Sequence, residues 1–299
     1  MIQLFKPSYD EREIEAVAEV LGTGWTGLGP KTSLFENAFA EFCSTKYCVG
    51  LSNGTAALQM ALKLLDIGPG DEVIVPAITF VATAHSVLNS GAVPVFSDIC
   101  PITHNIDPAH AGQLVNGRTK AIIAVHLAGY PVDMDALRSV AKDLPLIEDC
   151  AHASGTIYKG KPAGSMGIAG CFSFHAVKNL SMGEGGALVT DRDDFNRRAR
   201  RLRWLGIDRE TWDRQTWIIP TGGSIRWTRQ APIAIWTTFM PPLVLCSCRN
   251  WKQPITDAGR SRKVTAPGWR TFRRFLCPDG NRGSQIIDAH VPDPGGKQG

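Results

Sequence analysis

Up to about residue 212 the chain alternates between two kinds of hydrophobic pattern. Residues 11–21 place Ile14 and Leu21 on one helical face, and residues 55–65 (TAALQMALKLL) indicate a second, more buried helix. Six short apolar runs typical of buried strands follow, at 73–75, 93–96, 121–125, 146–149, 171–174 and 187–190. Two further helical segments lie among them, at 82–88 and 134–141. The alternation predicts a doubly wound α/β domain, a mostly parallel sheet with helices on both faces.

The pattern ends after about Trp212, where the composition also changes. Residues 1–216 hold 20 Lys and Arg against 24 Asp and Glu, whereas residues 217–299 hold 12 against 4. The second part also carries five of the eight tryptophans and nine of the nineteen prolines, and the last glutamate of the chain is Glu210. We therefore predict a domain over residues 1–214 and an aberrant basic tail over 215–299, either disordered or frameshifted.

The bulk composition excludes several classes of protein. A chain of 299 residues with 43% hydrophobic and 20% charged residues is typical of a globular protein, and no apolar run is long enough to cross a bilayer. The N-terminus lacks the pattern of a signal peptide, and the eight cysteines have no regular spacing. These features predict reduced thiols, a cytoplasmic protein and no membrane partner.

Three groups of polar residues stand where strands end or helices begin. The turn Ser52-Asn53-Gly54-Thr55 precedes a helix and suits a phosphate, although such residues can also be simple helix caps. Asp149 ends an apolar strand and His152 follows it; alone, Asp149 could equally be a capping residue. Lys178 stands between an apolar run and a glycine-rich turn. Together the three groups suit pyridoxal phosphate (PLP), whose aldehyde forms a Schiff base with a lysine and whose ring nitrogen pairs with an aspartate.

Several blocks of the sequence resemble the signature blocks of one protein family. They are GTGWTGLGPKTSLFE (22–36), SNGTAAL (52–58), GDEVIVPAITFVATA (70–84), VHLAGYPVDMDAL (125–137), IEDCAHASG (147–155) and FSFHAVKNLSMGEGGALVTD (172–191). Over about residues 1–214 the chain is similar, in order and spacing, to the DegT/DnrJ/EryC1/StrS family of PLP-dependent sugar-nucleotide aminotransferases. The resemblance implies the large domain of a fold-type I PLP aminotransferase, with the small C-terminal domain missing or replaced.

The resemblance also implies roles for individual residues. Lys178 would be the Schiff-base lysine and proton shuttle, Asp149 the partner of the ring nitrogen, and His152 a neighbour of the ring oxygen. Thr26 and Gly27 would border the sugar pocket. No metal ligand is implied.

The cofactor would lie among a larger set of residues. Phe80 would stack on its ring, while Gly54, Thr55 and Ser173 would bind its phosphate, beside Lys178, Asp149 and His152. Three other polar residues are not expected to be catalytic: His126 and Glu184 are expected to be structural, and His175 is expected to pack near the cofactor.

The implied reaction moves an amino group from L-glutamate to a keto-sugar linked to a nucleotide, for amino-deoxysugar biosynthesis, in a homodimer. One branch of the family has histidine in place of the lysine and dehydrates sugars; Lys178 favours transamination. Sugar dehydration, amination of a non-sugar ring and an inactive truncated remnant remain alternatives. A nucleic-acid-binding role for the basic, Trp-rich tail is disfavoured, because its basic and aromatic residues show no ordered pattern.

The resemblance ends after residues 203–214, where the family's next blocks are expected. A basic segment rich in Trp and Pro but without Glu is typical of translation in a wrong frame. If residues 240–259 are translated in a frame that starts each codon at the third base of the previous codon, permitted codons can give AAFGLVQLQKLEAANHRRR. This string is similar to a helix of the family. The sequence thus predicts a frameshift between about Trp212 and Ser224.

Overall fold

The computed structural model describes residues 7–207, which form seven α-helices and nine strands. The helices are α1 Glu11–Gly22, α2 Pro30–Phe42, α3 Gly54–Leu64, α4 Ala82–Asn89, α5 Pro108–Leu114, α6 Met134–Ala141 and α7 Asp193–Arg203. The strands are β1 Tyr47–Leu51, β2 Glu72–Pro76, β3 Val93–Ser97, β4 Thr119–Val125, β5 Leu146–Asp149, β6 Ile157–Tyr158, β7 Lys161–Pro162, β8 Ala169–Ser173 and β9 Gly186–Thr190.

Seven strands form one sheet in the order β1-β9-β8-β5-β4-β2-β3. The five strands from β8 to β3 are parallel, whereas β9 runs antiparallel to both β8 and β1. The predicted mostly parallel α/β sheet is confirmed, and so is each of the six strands and four helices predicted from the hydrophobic pattern. The carboxyl ends of β2, β4, β5 and β8 therefore lie along one edge of the sheet, where ligands of such folds bind.

The sheet is covered by helices on both faces, which follows from the alternation of side chains along each strand. Val73 and Val75 of β2 pack in the cluster that contains α3 and α7, while Ile74 packs with α5 and α6 on the opposite face. Helix α2 covers the β1–β9–β8 end of that opposite face with a cluster of aromatic rings, in which Phe39 makes edge-to-face contacts with Phe172 and Phe174.

Helix α1 is confirmed, but its apolar face is not buried as an amphipathic pattern would suggest. Ile14 is 68% exposed and Leu21 is 51% exposed, while Glu13 and Val20 are the buried residues of this helix. Asp10 and Glu13 form a capping box, in which the Glu13 side chain accepts from the Asp10 amide at 2.6 Å.

The predicted boundary at residue 214 and the tail over 215–299, with its proposed frameshift, lie outside the described residues. Within residues 7–207, none of the helices has the length and apolarity needed to cross a membrane.

Candidate active site

A cavity of about 370 Å³ opens at the carboxyl ends of the strands, beside the N-terminus of α3. It is lined by all seven residues that were predicted to surround the cofactor: Gly54, Thr55, Phe80, Asp149, His152, Ser173 and Lys178. They come from four separate stretches of the chain, and the fold brings them to one place because each ends or follows a strand or opens a helix at the same edge of the sheet.

Lys178 lies near the tip of the loop that joins β8 to the antiparallel β9. The two arms of the loop are held together by hydrogen bonds from the Phe174 amide to the Gly185 carbonyl and from the Ala176 amide to the Gly183 carbonyl, each at 2.8 Å. This ladder extends the β8–β9 pairing beyond the sheet and holds the lysine over the cavity.

The Lys178 side chain faces the ring of Phe80, whose centroid is 5.9 Å from the lysine Nζ. Its partial burial lowers the pKa of Lys178, and the negative charge of Asp149 opposes that shift only in part. A lowered pKa increases the fraction of free amine at neutral pH, which is the form that attacks an aldehyde. The next residue, Asn179, donates to the Ser154 carbonyl at 2.9 Å and so ties the loop to the segment that follows β5.

Asp149, at the end of β5, is 5% exposed and accepts two hydrogen bonds from the protein. Its Oδ1 accepts from the Ala151 amide at 3.1 Å, and its Oδ2 accepts from the Thr83 hydroxyl at 2.9 Å. The carboxylate is therefore held in one orientation at the edge of the cavity.

His152 stands on the loop after β5. Burial lowers the pKa of His152, the charge of Lys178 lowers it further, and Asp149 opposes both. Its Nδ1 accepts from the Ala128 amide at 3.3 Å, which leaves Nε2 to carry the proton of the neutral ring. His152 is thus a neutral hydrogen-bonding group beside the cavity.

The N-terminus of α3 forms a small concave surface beside Ser173. Asn53 caps the helix by accepting from the Ala56 amide at 2.8 Å, and no hydrogen-bond partner within residues 7–207 takes the Gly54 and Thr55 amides. A Cβ on Gly54 would lie 2.9 Å from the Ser173 Cβ, so this position needs glycine. Free amides at a helix N-terminus with an adjacent hydroxyl fit a phosphate group.

His126 and Glu148 form a buried pair behind the cavity, outside its lining. The His126 Nδ1 accepts from the Val132 amide at 3.0 Å, so its Nε2 donates to Glu148 at 2.9 Å. Glu148 also accepts from three backbone amides of the loop before β8, those of Gly164, Met166 and Gly167. The pair thus joins β4, β5 and that loop, which is the structural place expected for His126.

His175, which was expected to pack near the cofactor, and Glu184, which was expected to be structural, both line the cavity. They lie 3.5 Å apart on the two arms of the Lys178 loop. Thr26 and Gly27, the predicted sugar-pocket residues, lie on the exposed segment before α2 and do not line this cavity. Their role stays a prediction.

Some residues of the site could not be found by sequence reasoning. Thr83 contacts Asp149 from α4, 66 positions earlier in the chain, and Thr79 adds to the cavity wall. Nothing in the hydrophobic pattern pairs α4 with the end of β5. Only the block 70–84 as a whole pointed to this region.

The residues present fit PLP, because one cavity offers a phosphate cradle, an aromatic ring, an acceptor carboxylate and a lysine of lowered pKa. Such a set on a mostly parallel sheet is the arrangement of the large domain of fold-type I PLP enzymes. The chain belongs to the DegT/DnrJ/EryC1/StrS aminotransferase family, whose model matches residues 7–231. The match continues beyond residue 214, where the resemblance was expected to end. PLP is the cofactor of this family.

Relatives of known name agree with this placement. The chain is 45% identical over 210 residues to the spore coat polysaccharide biosynthesis protein SpsC of Bacillus subtilis (strain 168), covering 70% of this chain and 54% of SpsC. The structure is similar to that of an aminotransferase from Psychrobacter cryohalolentis, with a TM-score of 0.74 and 36% identity over 83% of this chain and 65% of that one.

A second similar structure bears on the cofactor. The protein Spr1654 of Streptococcus pneumoniae has been solved in a PLP form and in a PMP form; the PMP form has a TM-score of 0.72 and 32% identity, over 82% of this chain and 65% of that one. The chain thus spans about half the length of SpsC and about two thirds of the length of these solved structures.

Proposed function

We propose that this protein is a PLP-dependent aminotransferase that moves an amino group from L-glutamate to a keto-sugar linked to a nucleotide, in amino-deoxysugar or polysaccharide biosynthesis. The observation that carries the proposal is the position of Lys178, whose Nζ lies over the cavity opposite Phe80 and has a lowered pKa. The name of SpsC, which places that relative in polysaccharide biosynthesis, supports a sugar as the acceptor.

The seven predicted residues of the cavity each have a task in this reaction. The amides of Gly54 and Thr55, with the Ser173 hydroxyl, hold the phosphate, and Phe80 covers one face of the ring and excludes water. When bound, PLP supplies the aldehyde carbon that takes up the amino group and a ring that draws electrons from it.

The other side chains handle protons. The Asp149 carboxylate would accept from the ring nitrogen and so keep that nitrogen protonated, while neutral His152 would donate through Nε2 to the ring oxygen. Lys178 would hold the cofactor through Nζ in the resting enzyme. Once the donor had displaced it, the free amine would take a proton from the donor's carbon and deliver it to the cofactor carbon on the other side of the nitrogen that joins them.

The proposal predicts a lysine-bound cofactor that can be seen directly. The full chain mixed with PLP should show a visible absorption band, and Lys178→Ala should lose it. Lys161→Ala is the matched control, because Lys161 is an exposed lysine of the same domain that lies outside the cavity.

The same samples test the donor and the acceptor. L-glutamate should bleach the band with release of one equivalent of 2-oxoglutarate, and a panel of nucleotide-linked keto-sugars should restore it with release of an amino-sugar. A folded circular-dichroism spectrum with no visible band would contradict the proposal and favour the non-catalytic alternative.

We further propose that the protein works as a homodimer in the cytoplasm. Four apolar side chains near the cavity are 47% to 66% exposed, which supports a partner surface there: Ile78, Phe80, Val81 and Val177. The five cysteines within residues 7–207 are all free thiols, as a reducing compartment requires. Light scattering coupled to gel filtration tests the dimer, and a monomer across the concentration range would contradict it.

A further inference from the structure

The Asp149 carboxylate is held by a donor from a distant helix. Thr83 of α4 is fully buried, and its hydroxyl donates to Asp149 Oδ2 at 2.9 Å, while the Ala151 amide donates to Oδ1 at 3.1 Å. The bond from the Ala151 amide is local, because Ala151 and Asp149 are two positions apart in the chain. The bond from Thr83 instead fixes the carboxylate against α4, the helix that carries part of the cavity wall.

A second hydroxyl continues the contact toward the cavity. Thr79 lines the cavity, and its hydroxyl oxygen is 2.8 Å from that of Thr83. A hydroxyl has one proton, and an ionised carboxylate can only accept, so the Thr83 proton goes to Asp149. Thr79 must then donate to Thr83. The two hydroxyl dipoles therefore point in the same direction, from the cavity wall to the carboxylate, and each polarises the other.

Another hydroxyl of α4 shows that helix geometry does not force a helical hydroxyl to bond outside its own helix, as Thr83 does. Ser86 of α4 is also fully buried, and its hydroxyl donates to the Ala82 carbonyl at 2.7 Å, one turn earlier on its own helix. Such bonding to the preceding turn is the usual local partner of a helical Ser or Thr. The Thr83 hydroxyl instead leaves its helix and bonds to Asp149.

We propose that Thr83, with Thr79 behind it, is a positioning residue that orients the Asp149 carboxylate toward the ring nitrogen of the cofactor. The inference rests on the proposed function, in which Asp149 accepts from that nitrogen. Thr83 does not touch the cofactor itself; it limits rotation of the carboxylate, so that one oxygen stays directed into the cavity before the cofactor binds.

The test compares three variants of α4 in the full chain. Thr83→Val keeps the shape and removes the donor, Thr83→Ser keeps the hydroxyl, and Ser86→Ala removes a buried hydroxyl that bonds within the helix. Thr83→Val should weaken equilibrium binding of PLP by about 10-fold, because a carboxylate without this donor must be oriented when the cofactor binds. Thr83→Ser should restore it to within about 3-fold, and Ser86→Ala should leave it unchanged.

Two further readouts separate positioning from general damage. The visible band of the bound cofactor should shift in Thr83→Val. The rate of bleaching at saturating L-glutamate should fall, while the L-glutamate concentration that gives the half-maximal rate stays the same. Thr79→Val keeps Thr83 and removes only the donor behind it, and it should change PLP binding in the same direction by about 3-fold. This fourth variant also serves if Thr83→Val does not fold, because Thr79 lies at the cavity wall.

Several outcomes would overturn the inference. The first is that Thr83→Val and Thr79→Val both keep the wild-type affinity for PLP and the wild-type absorption band. The second is that Thr83→Val loses affinity for PLP and Thr83→Ser does not restore it, while Ser86→Ala binds PLP normally. The proposed function is judged separately, by the wild-type band and its loss in Lys178→Ala. A protein that binds PLP in the expected rank order but is not bleached by any donor would contradict the aminotransferase and leave the positioning role supported.

Discussion

Lys178 destabilises the folded, cofactor-free protein, because its ammonium is partly removed from water while the opposite charge of Asp149 compensates only in part. The pKa of Lys178 lies below its ordinary value of 10.5 in the fold and returns to that value on unfolding. Below the folded pKa both states carry the proton, so the burial penalty is fully present. Above the folded pKa the native amine is neutral, and the penalty disappears as the pH approaches 10.5.

It follows that Lys178→Met should stabilise the cofactor-free protein near pH 7. We expect a melting temperature about 1–2 °C higher than that of the wild type, a small value because the amine is partly exposed and screened by solvent. The gain should shrink as the pH rises toward 10.5. Thermal scans of protein freed of PLP measure it. Lys161→Met, at the exposed strand β7, should show neither the gain nor its pH dependence, and a Lys178→Met protein less stable than wild type at pH 7 would refute the argument.

The residues that sequence reasoning could find are those whose chemistry conflicts with their neighbours. Asp149 and Lys178 each follow an apolar run, where a charge has no reason to stand unless it has a partner or a task. Thr83 and Asn179 carry no such signal. A threonine in a helix and an asparagine in a loop are ordinary, and only the folded distances show what they bond to.

At the scale of elements, the cavity depends on how closely α3 approaches β9. A Cβ built on Gly186, at the start of β9, would lie 2.3 Å from the backbone carbon and oxygen of Asn53 and 2.7 Å from the Gly54 nitrogen. Atoms cannot approach so closely, and the obstacle is backbone rather than a side chain that could rotate away. Gly186 therefore lets the N-terminus of α3 reach Ser173.

Gly186→Ala should accordingly displace the start of α3 and damage the phosphate cradle. We expect a loss of about 1–3 kcal/mol of stability from overpacking, together with weaker binding of PLP. Pyridoxal, which lacks the phosphate, should lose less affinity than PLP does. Gly117→Ala is the control, because a Cβ there meets no atom within 4 Å. Denaturant unfolding and PLP titration measure the two effects; equal losses for PLP and pyridoxal would show that the cradle is not what changed.

Several elements were not predicted from the pattern, for identifiable reasons. Helix α7 (DDFNRRARRLR) is mostly charged, and its buried apolar residues are only Phe195, Ala199 and Leu202. The edge strand β1 (YCVGL) is short and contains glycine, which lowers strand propensity. Both are stabilised by tertiary contacts: α7 packs against α3 and β1, and β1 pairs with β9. The local sequence alone therefore does not predict either element.

At the scale of the whole described chain, the first and last parts of the domain are joined by a buried ionic cluster. Glu36 of α2 is 2% exposed, and its carboxylate accepts hydrogen bonds from the guanidinium groups of Arg203 and Arg200 of α7. The distance to Arg200 is 2.8 Å, and the Gly50 amide of β1 also donates to Glu36 at 2.8 Å. Burial alone would raise the pKa of Glu36, but the charges of Arg203 and Arg200 outweigh it and keep the pKa below its ordinary value. The cluster covers the edge strand β1 and fixes α2, which follows the segment that carries Thr26 and Gly27.

Glu36→Gln keeps the shape of the side chain but removes its charge, and Arg203, which is 1% exposed, would then be buried without its carboxylate. Breaking one partner of a buried ion pair costs about 3–5 kcal/mol, since the remaining charge cannot return to water. Because the folded pKa is depressed, wild-type stability should fall as the pH drops through it, and the difference from Glu36→Gln should narrow in acid. Urea unfolding at pH 7 and at lower pH measures both effects.

The control is Glu41→Gln, a change of an exposed residue on the same helix, which should keep the free energy of unfolding within about 0.5 kcal/mol of the wild-type value. A Glu36→Gln protein as stable as that control would mean that packing of the aromatic cluster, and not the ionic contact, holds α2 on the sheet.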